Sequence, residues 1–156
     1  MPIALHIREL LEYTEWQRTR WHTWFQDHPE AFRAGTLAHG DGRFSTIGEI
    51  VRHLFSAEQR YVDRLNGHPL TAPAATPADD PEILLAEGAA ARQHLIELLD
   101  TCSAEQWSTP HQYTIVKYRV TAPPKKLVVH VLLSRNPALG AGRHAVSPRR
   151  SGAGIP

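Results

Sequence analysis

Apolar residues recur at three- and four-residue spacing from the start of the chain. Ile7, Leu10, Leu11, Thr14, Trp21 and Phe25 share one stripe, with Arg and Glu filling the other faces. That period predicts an amphipathic helix from Leu5 to His28. Pro29 stops it, and Gly35, Gly40 and Gly42 mark a loop. A second stripe of Ile47, Ile50, Val51, Leu54, Phe55, Tyr61, Val62 and Leu65 predicts another helix. Thr46 and Glu49 have the spacing of a capping box at its start, and Asn66-Gly67 ends it. About twenty residues of helix span about 30 Å, which matches the first helix, as a bundle requires.

Residues 68–80 form a linker with Pro69, Pro73 and Pro77. Asp80-Pro81-Glu82 then supplies an N-cap, a proline at the first helical position and an acid in the first turn. Ile83, Leu84, Ala90, Ala91, Leu95, Leu98 and Leu99 make the buried stripe of this third helix, which ends near Cys102. The pattern changes after Ser103. Loose alternation of β-branched and aromatic residues from Tyr113 to Val120 predicts a short strand or extended connection. Pro123-Pro124 opens a fourth helix carrying Leu127, Val128, Val131 and Leu132. Pro137 cuts it short. Residues 134–156 contain no Asp, Glu, Lys or aromatic residue and no apolar period, and read as a basic extension without a core. The expected architecture is therefore all-α: an up–down four-helix bundle with one long crossover and a truncated fourth helix. Residues 1–133 form the bundle domain and 134–156 an irregular tail.

Composition narrows the function classes. The chain has 156 residues, enough for one domain. Its formal charge is +1, from 17 basic and 16 acidic side chains, which calls for neither nucleic acid nor an anionic membrane as partner. The apolar runs are too short to span a bilayer. No basic start followed by an apolar stretch suggests a signal peptide. Cys102 is the one cysteine, so no internal disulfide forms, and a cytoplasmic location is the expectation.

Ten histidines and four tryptophans are the less ordinary counts. His28, His39, His68 and His111 lie among loop residues and are read as solvated. His53, one turn from Ile50 and Ala57, sits at the edge of the helix-two stripe. It reads either as a metal ligand or as a boundary histidine bonded to a neighbour. His130 has apolar neighbours on helix four. Two ligands on one helix face need spacing of four, and no pair of histidines on a predicted helix has it. A metal site would have to be assembled across helices. Glu58 could orient a ligand or act as a base; the plainer reading is a helix-surface acid beside Arg60 and Arg64. Trp16, Trp21 and Trp24 read as core and boundary packing, and Cys102 as an inert half-buried thiol. The chain carries no phosphate-binding glycine loop, nucleophile elbow, paired-cysteine motif or nucleic-acid module.

The stretch Leu10-Leu11-Glu12-Tyr13-Thr14-Glu15-Trp16, with Arg18 and Arg20, resembles the opening helix of the DinB superfamily of bacterial four-helix bundles. Ser45-Thr46-Ile47-Gly48-Glu49-Ile50-Val51-Arg52-His53-Leu54, then Ala57-Glu58 and Leu65-Asn66-Gly67, resembles its second helix more closely. The resemblance covers about residues 5–133. It implies a metal-binding histidine at His53 and two more ligands, four apart, on helix four. His130 looks like a histidine one turn upstream of that pair, whose positions are here Ser134 and Ala138. It further implies a divalent metal, zinc or nickel, a homodimer, and metal-dependent thiol transfer or isomerisation with a low-molecular-weight thiol. The competing reading is a non-catalytic, stress-associated dimeric bundle with a degenerate metal site. One hypothesis covers the lost ligands and the odd tail together. Codons for Ser134 to Val146, read one nucleotide later, permit the string His-Glu-Ile-Arg-His-Trp-Ala-Gln-Val-Ala-Thr-Leu, so the tail would be a frame-shifted translation beginning close to Leu133. The alternative is a genuine divergent tail on a bundle that has lost its metal.

Overall fold

The structure is a computed structural model that describes residues 6–36, 43–75 and 77–134. The proposed frame shift and the position of Ala138 lie outside the described residues. Helix α1 spans Ile7–Asp27 and is followed by a 3-10 turn, Pro29–Arg33. Helices α2 (Ile47–Asn66) and α3 (Pro81–Thr101) come next, then a short α4 (Ala104–Ser108). Strands β1 (His111–Ile115) and β2 (Tyr118–Ala122) lead into α5 (Pro124–Ser134). The fold is an all-α bundle of four main helices with a small hairpin at one end.

The helix ends have local causes. Thr46 caps α2 by accepting from the Glu49 amide at 3.2 Å. Glu49 does not close the box on Thr46. Its Oε2 accepts instead from the amide and hydroxyl of Ser45, at 2.6 and 2.9 Å. Gly67 ends α2 in the left-handed region at φ 68°, where a side chain would be strained. Asp80 Oδ1 accepts from the Glu82 and Ile83 amides at 3.0 and 3.2 Å, so α3 starts where the Asp-Pro-Glu signal places it.

Two core clusters fix the helix directions. At one end Phe25 and Phe32 meet Val51 and Leu84; at the other Leu10 and Leu11 meet Val62, Leu95, Leu98, Val128 and Leu132. Helices α2 and α3 therefore run parallel to each other and antiparallel to α1. The crossover is what makes the middle pair parallel, and it is pinned at three points. Buried Asp63 accepts from the Thr71 amide at 2.7 Å, Arg52 Nη2 donates to the Pro77 carbonyl at 3.1 Å, and Gly48 lies against the Ala78 carbonyl, where a Cβ would collide.

Between α3 and α5 the structure departs from a single strand over 113–120. The segment turns back on itself, with Ile115 opposite Tyr118 and His111 opposite Ala122. Tyr113 and Ala122 then pack on Tyr61, Leu127 and Val131. The two-residue turn puts exposed Val116 at φ 56°, a conformation that suits glycine or asparagine. Helix α4 was not expected either, although its signal is local: Ser103 and Gln106 form a reciprocal capping box. Leu127, Val128, Val131 and Leu132, the predicted stripe of the fourth helix, are all buried. No helix among the described residues is long and apolar enough to cross a membrane.

Candidate functional site: a cavity above a buried ion-pair network

Each long helix carries a charged residue within its apolar stripe at the same level of the bundle. On α1 it is Arg18, with Thr14 one turn before it; on α2 it is Glu58; on α3 it is Arg92, with Gly88 one turn before it. These residues meet. Arg18 Nη1 donates to both Glu58 oxygens, at 3.1 and 3.0 Å, and its Nη2 donates to the Gly88 carbonyl at 2.6 Å. Arg92 Nη2 donates to Glu58 Oε2 at 3.3 Å and its Nη1 to Thr14 Oγ1 at 3.0 Å. Thr14 in turn donates to the Leu11 carbonyl at 2.9 Å. Arg92 Nε lies 3.0 Å from Glu58 Oε1 and 3.1 Å from Glu15 Oε1.

Glu58 is thus not the surface acid beside Arg60 and Arg64 that the plainer reading expected. Its residue is 2% exposed and Arg92 6%, so the network is a floor inside the bundle. Two guanidiniums and two carboxylates make it electrically neutral, which is what permits burial at all. Burial draws the Arg92 guanidinium below its ordinary range, opposed by the Glu58 carboxylate beside it. Gly88 lies directly under the Phe55 ring. A Cβ there would stand 2.7 Å from the Phe55 ring, and that ring carries the Arg18 guanidinium 4.9 Å from its centroid.

Above this floor is a cavity of about 480 Å³, within the range of small-molecule pockets. Trp21, Trp24 and Phe25 of α1 line one wall, and Ile50, Leu54 and Phe55 of α2 another. Leu85 and Ala89 of α3 and Val131 and Leu132 of α5 complete it. Of the expected core and boundary packing the tryptophans take the boundary: Trp16, Trp21 and Trp24 are 53%, 38% and 44% exposed. Trp21 and Trp24 stand edge to face at 6.3 Å beside the cavity.

The two histidines singled out in the sequence are placed apart from this cavity. His53 is half-buried, with its ring 4.9 Å from that of Phe44, and is not among the lining residues. His130 is exposed on α5, its ring 5.8 Å from that of Tyr61. Tyr61 lies eight residues beyond His53, about 12 Å further along the helix axis. Among the described residues no group of three or more His, Cys, Asp and Glu side chains is arranged to hold a metal ion. The described side chains therefore do not fit a three-ligand centre. Cys102 is half-buried, its thiol 3.7 Å from the Ser103 carbonyl.

The described residues form a crossover bundle of four main helices with an apolar cavity over an Arg–Glu–Arg bridge. The family model of the DinB superfamily matches residues 13–133, and the chain belongs to that superfamily. Curated proteins and solved structures give no match.

Proposed function

We propose that this protein is a small-molecule-binding bundle, in which the cavity between α1, α2 and α3 receives a largely apolar ligand. The observation that carries this reading is the cavity itself: apolar walls of ordinary ligand-pocket size over a few convergent charged groups. Exposed tryptophans at its edge offer rigid apolar contact area at little cost in side-chain entropy. Metal-dependent thiol transfer, which the family resemblance implies, asks for donors beyond His53 and His130.

Binding is read from quenching or shift of tryptophan fluorescence as 4-phenylbutanol, a neutral aryl alcohol, is titrated in. The expected result is saturable binding that Ala89→Phe, which fills the cavity from the α3 wall, abolishes without loss of helical circular dichroism. Equal binding by Ala89→Phe, or no saturable binding by the parent chain, overturns the reading.

A further inference from the structure

A second opening in the molecule shares no lining residue with the cavity above the ion-pair floor. It is a groove of about 730 Å³ between the start of α1, the short α4 and one face of α5. Ile7 and Leu10 of α1, Trp107 of α4, and Val129 and Leu133 of α5 form its apolar bed. Leu10 is a core residue, 6% exposed, and Ile7 and Trp107 pack against the same cluster, so the bed is recessed onto the core. Val129 and Leu133 stay 36% and 41% exposed along its edge. The remaining lining side chains are all basic: His6, Lys125, Lys126 and His130. We infer that this groove is a second ligand site, for a fatty-acid-like carboxylate whose alkyl chain lies on the apolar bed and whose charge meets Lys125 and Lys126.

The inference rests on charge that the chain leaves unanswered there. The whole sequence carries a formal charge of only +1, and exposed arginines elsewhere find acids, as Arg8 does with Asp100 at 2.7 Å and Arg33 with Asp79 at 3.2 Å. Lys125 and Lys126 are two of the chain's three lysines, and neither makes an ion pair among the described residues. Helices α1 to α4 each carry an acid in the first turn, whereas the first turn of α5 carries none. Glu9 and Glu105 lie close in sequence to Leu10 and Trp107 but do not line the groove, and Glu9 accepts instead from the His6 amide at 2.8 Å. The segments that continue from the two edges of the groove, residues 1–5 and 135–156, contain no Asp or Glu. An anion brought by a ligand answers this charge, and a lysine ammonium is a strong donor to a carboxylate. From Lys126 to Leu133 the helix axis rises about 10 Å, room for a medium-length alkyl chain beside it. The recessed bed suits one such chain better than the flat face of a bilayer.

Octanoate titrated into the full chain at pH 7 in dilute buffer, followed by backbone amide shifts in nuclear magnetic resonance, reports both affinity and place. Saturable shifts are expected at Ile7, Trp107 and residues 126–133, with those of Trp24 and Leu54 unmoved. Octanol should bind the same residues about tenfold more weakly, and added salt should shrink the difference. Lys125→Gln with Lys126→Gln, at two exposed positions, should leave the melting temperature unchanged and bring octanoate to the affinity of octanol. Shifts centred on Trp24 and Leu54 would place octanoate in the other cavity and overturn this inference while the cavity reading stands. Absence of saturable shifts, or equal affinity for octanoate and octanol in the parent chain, overturns it as well. Binding to phosphatidylglycerol vesicles without binding to free octanoate would make the groove a membrane contact and not a ligand site.

Discussion

Glu58 holds arginines from two other helices, so its loss leaves two guanidiniums facing each other with no shared carboxylate. Breaking a buried ion pair from one side costs about 3–5 kcal/mol, because the remaining charge stays buried and unpaired. Glu58→Gln is expected to lower the unfolding free energy in urea by about 3 kcal/mol. Glu15→Gln, at a half-exposed position, should cost on the order of 1 kcal/mol or less. Equal small losses would mean that water reaches the floor and shields it. Glu49 carries a separate, pH-linked effect. The amide and hydroxyl of Ser45 hold its carboxyl below the ordinary value of 4.5, the amide contributing most. A depressed folded-state value stabilises the protein above the unfolded value and loses that contribution as pH falls through the folded one. Thermal melts should therefore fall between about pH 5 and pH 3, and Glu49→Gln should flatten that decline. A parallel decline in both proteins would assign it to other carboxylates.

At the scale of elements, the hairpin is the place where local sequence and local geometry disagree. A two-residue turn with positive φ at its first central residue favours glycine there, yet the position is Val116, β-branched and 83% exposed. Left-handed backbone costs an L-residue about 1–2 kcal/mol, and an exposed valine has little packing to offset it. Val116→Gly is expected to raise stability by about 1 kcal/mol, seen as a higher denaturation midpoint with an unchanged slope. A loss of stability would mean that the valine is covered by a contact beyond the described residues. The hairpin tolerates the strain because its inward side is anchored, with Tyr113 and Ala122 buried against Tyr61 and α5.

For the whole molecule, the floor joins three helices that meet apolar partners above and below it. A buried polar network of this kind sets which residues face each other more than it adds stability. The bundle's capacity for metal is the clearest test of its chemistry. His53 and His130 are the donors the family resemblance points to, and they stand too far apart along α2 to share an ion, so each alone makes a weak site. After loading with zinc or nickel and desalting, metal analysis is expected to find substoichiometric ion. His53→Ala should leave the shift in melting temperature on adding metal unchanged. Stoichiometric metal that disappears in His53→Ala would restore a metal centre completed by residues outside the described ones.

Periodicity and end signals were enough to place the three long helices, the start of α5 and the crossover, because caps, prolines and apolar stripes act within a turn or two of the residues concerned. Thr46, Asp80 and Gly67 do locally what their types dictate. The buried floor was legible only as anomalies: Arg18, Glu58 and Arg92 stand where each stripe calls for an apolar residue. Nothing along the chain says that three such breaks, 40 and 34 residues apart, share one level of the bundle. That depends on α2 and α3 running parallel, which the crossover decides by bringing Leu84 beside Val51 and Leu95 beside Val62. Burial of the charges follows from this register alone. A lone Glu58 in a helix keeps its water, and it gives that up only where two guanidiniums from other helices arrive to replace it.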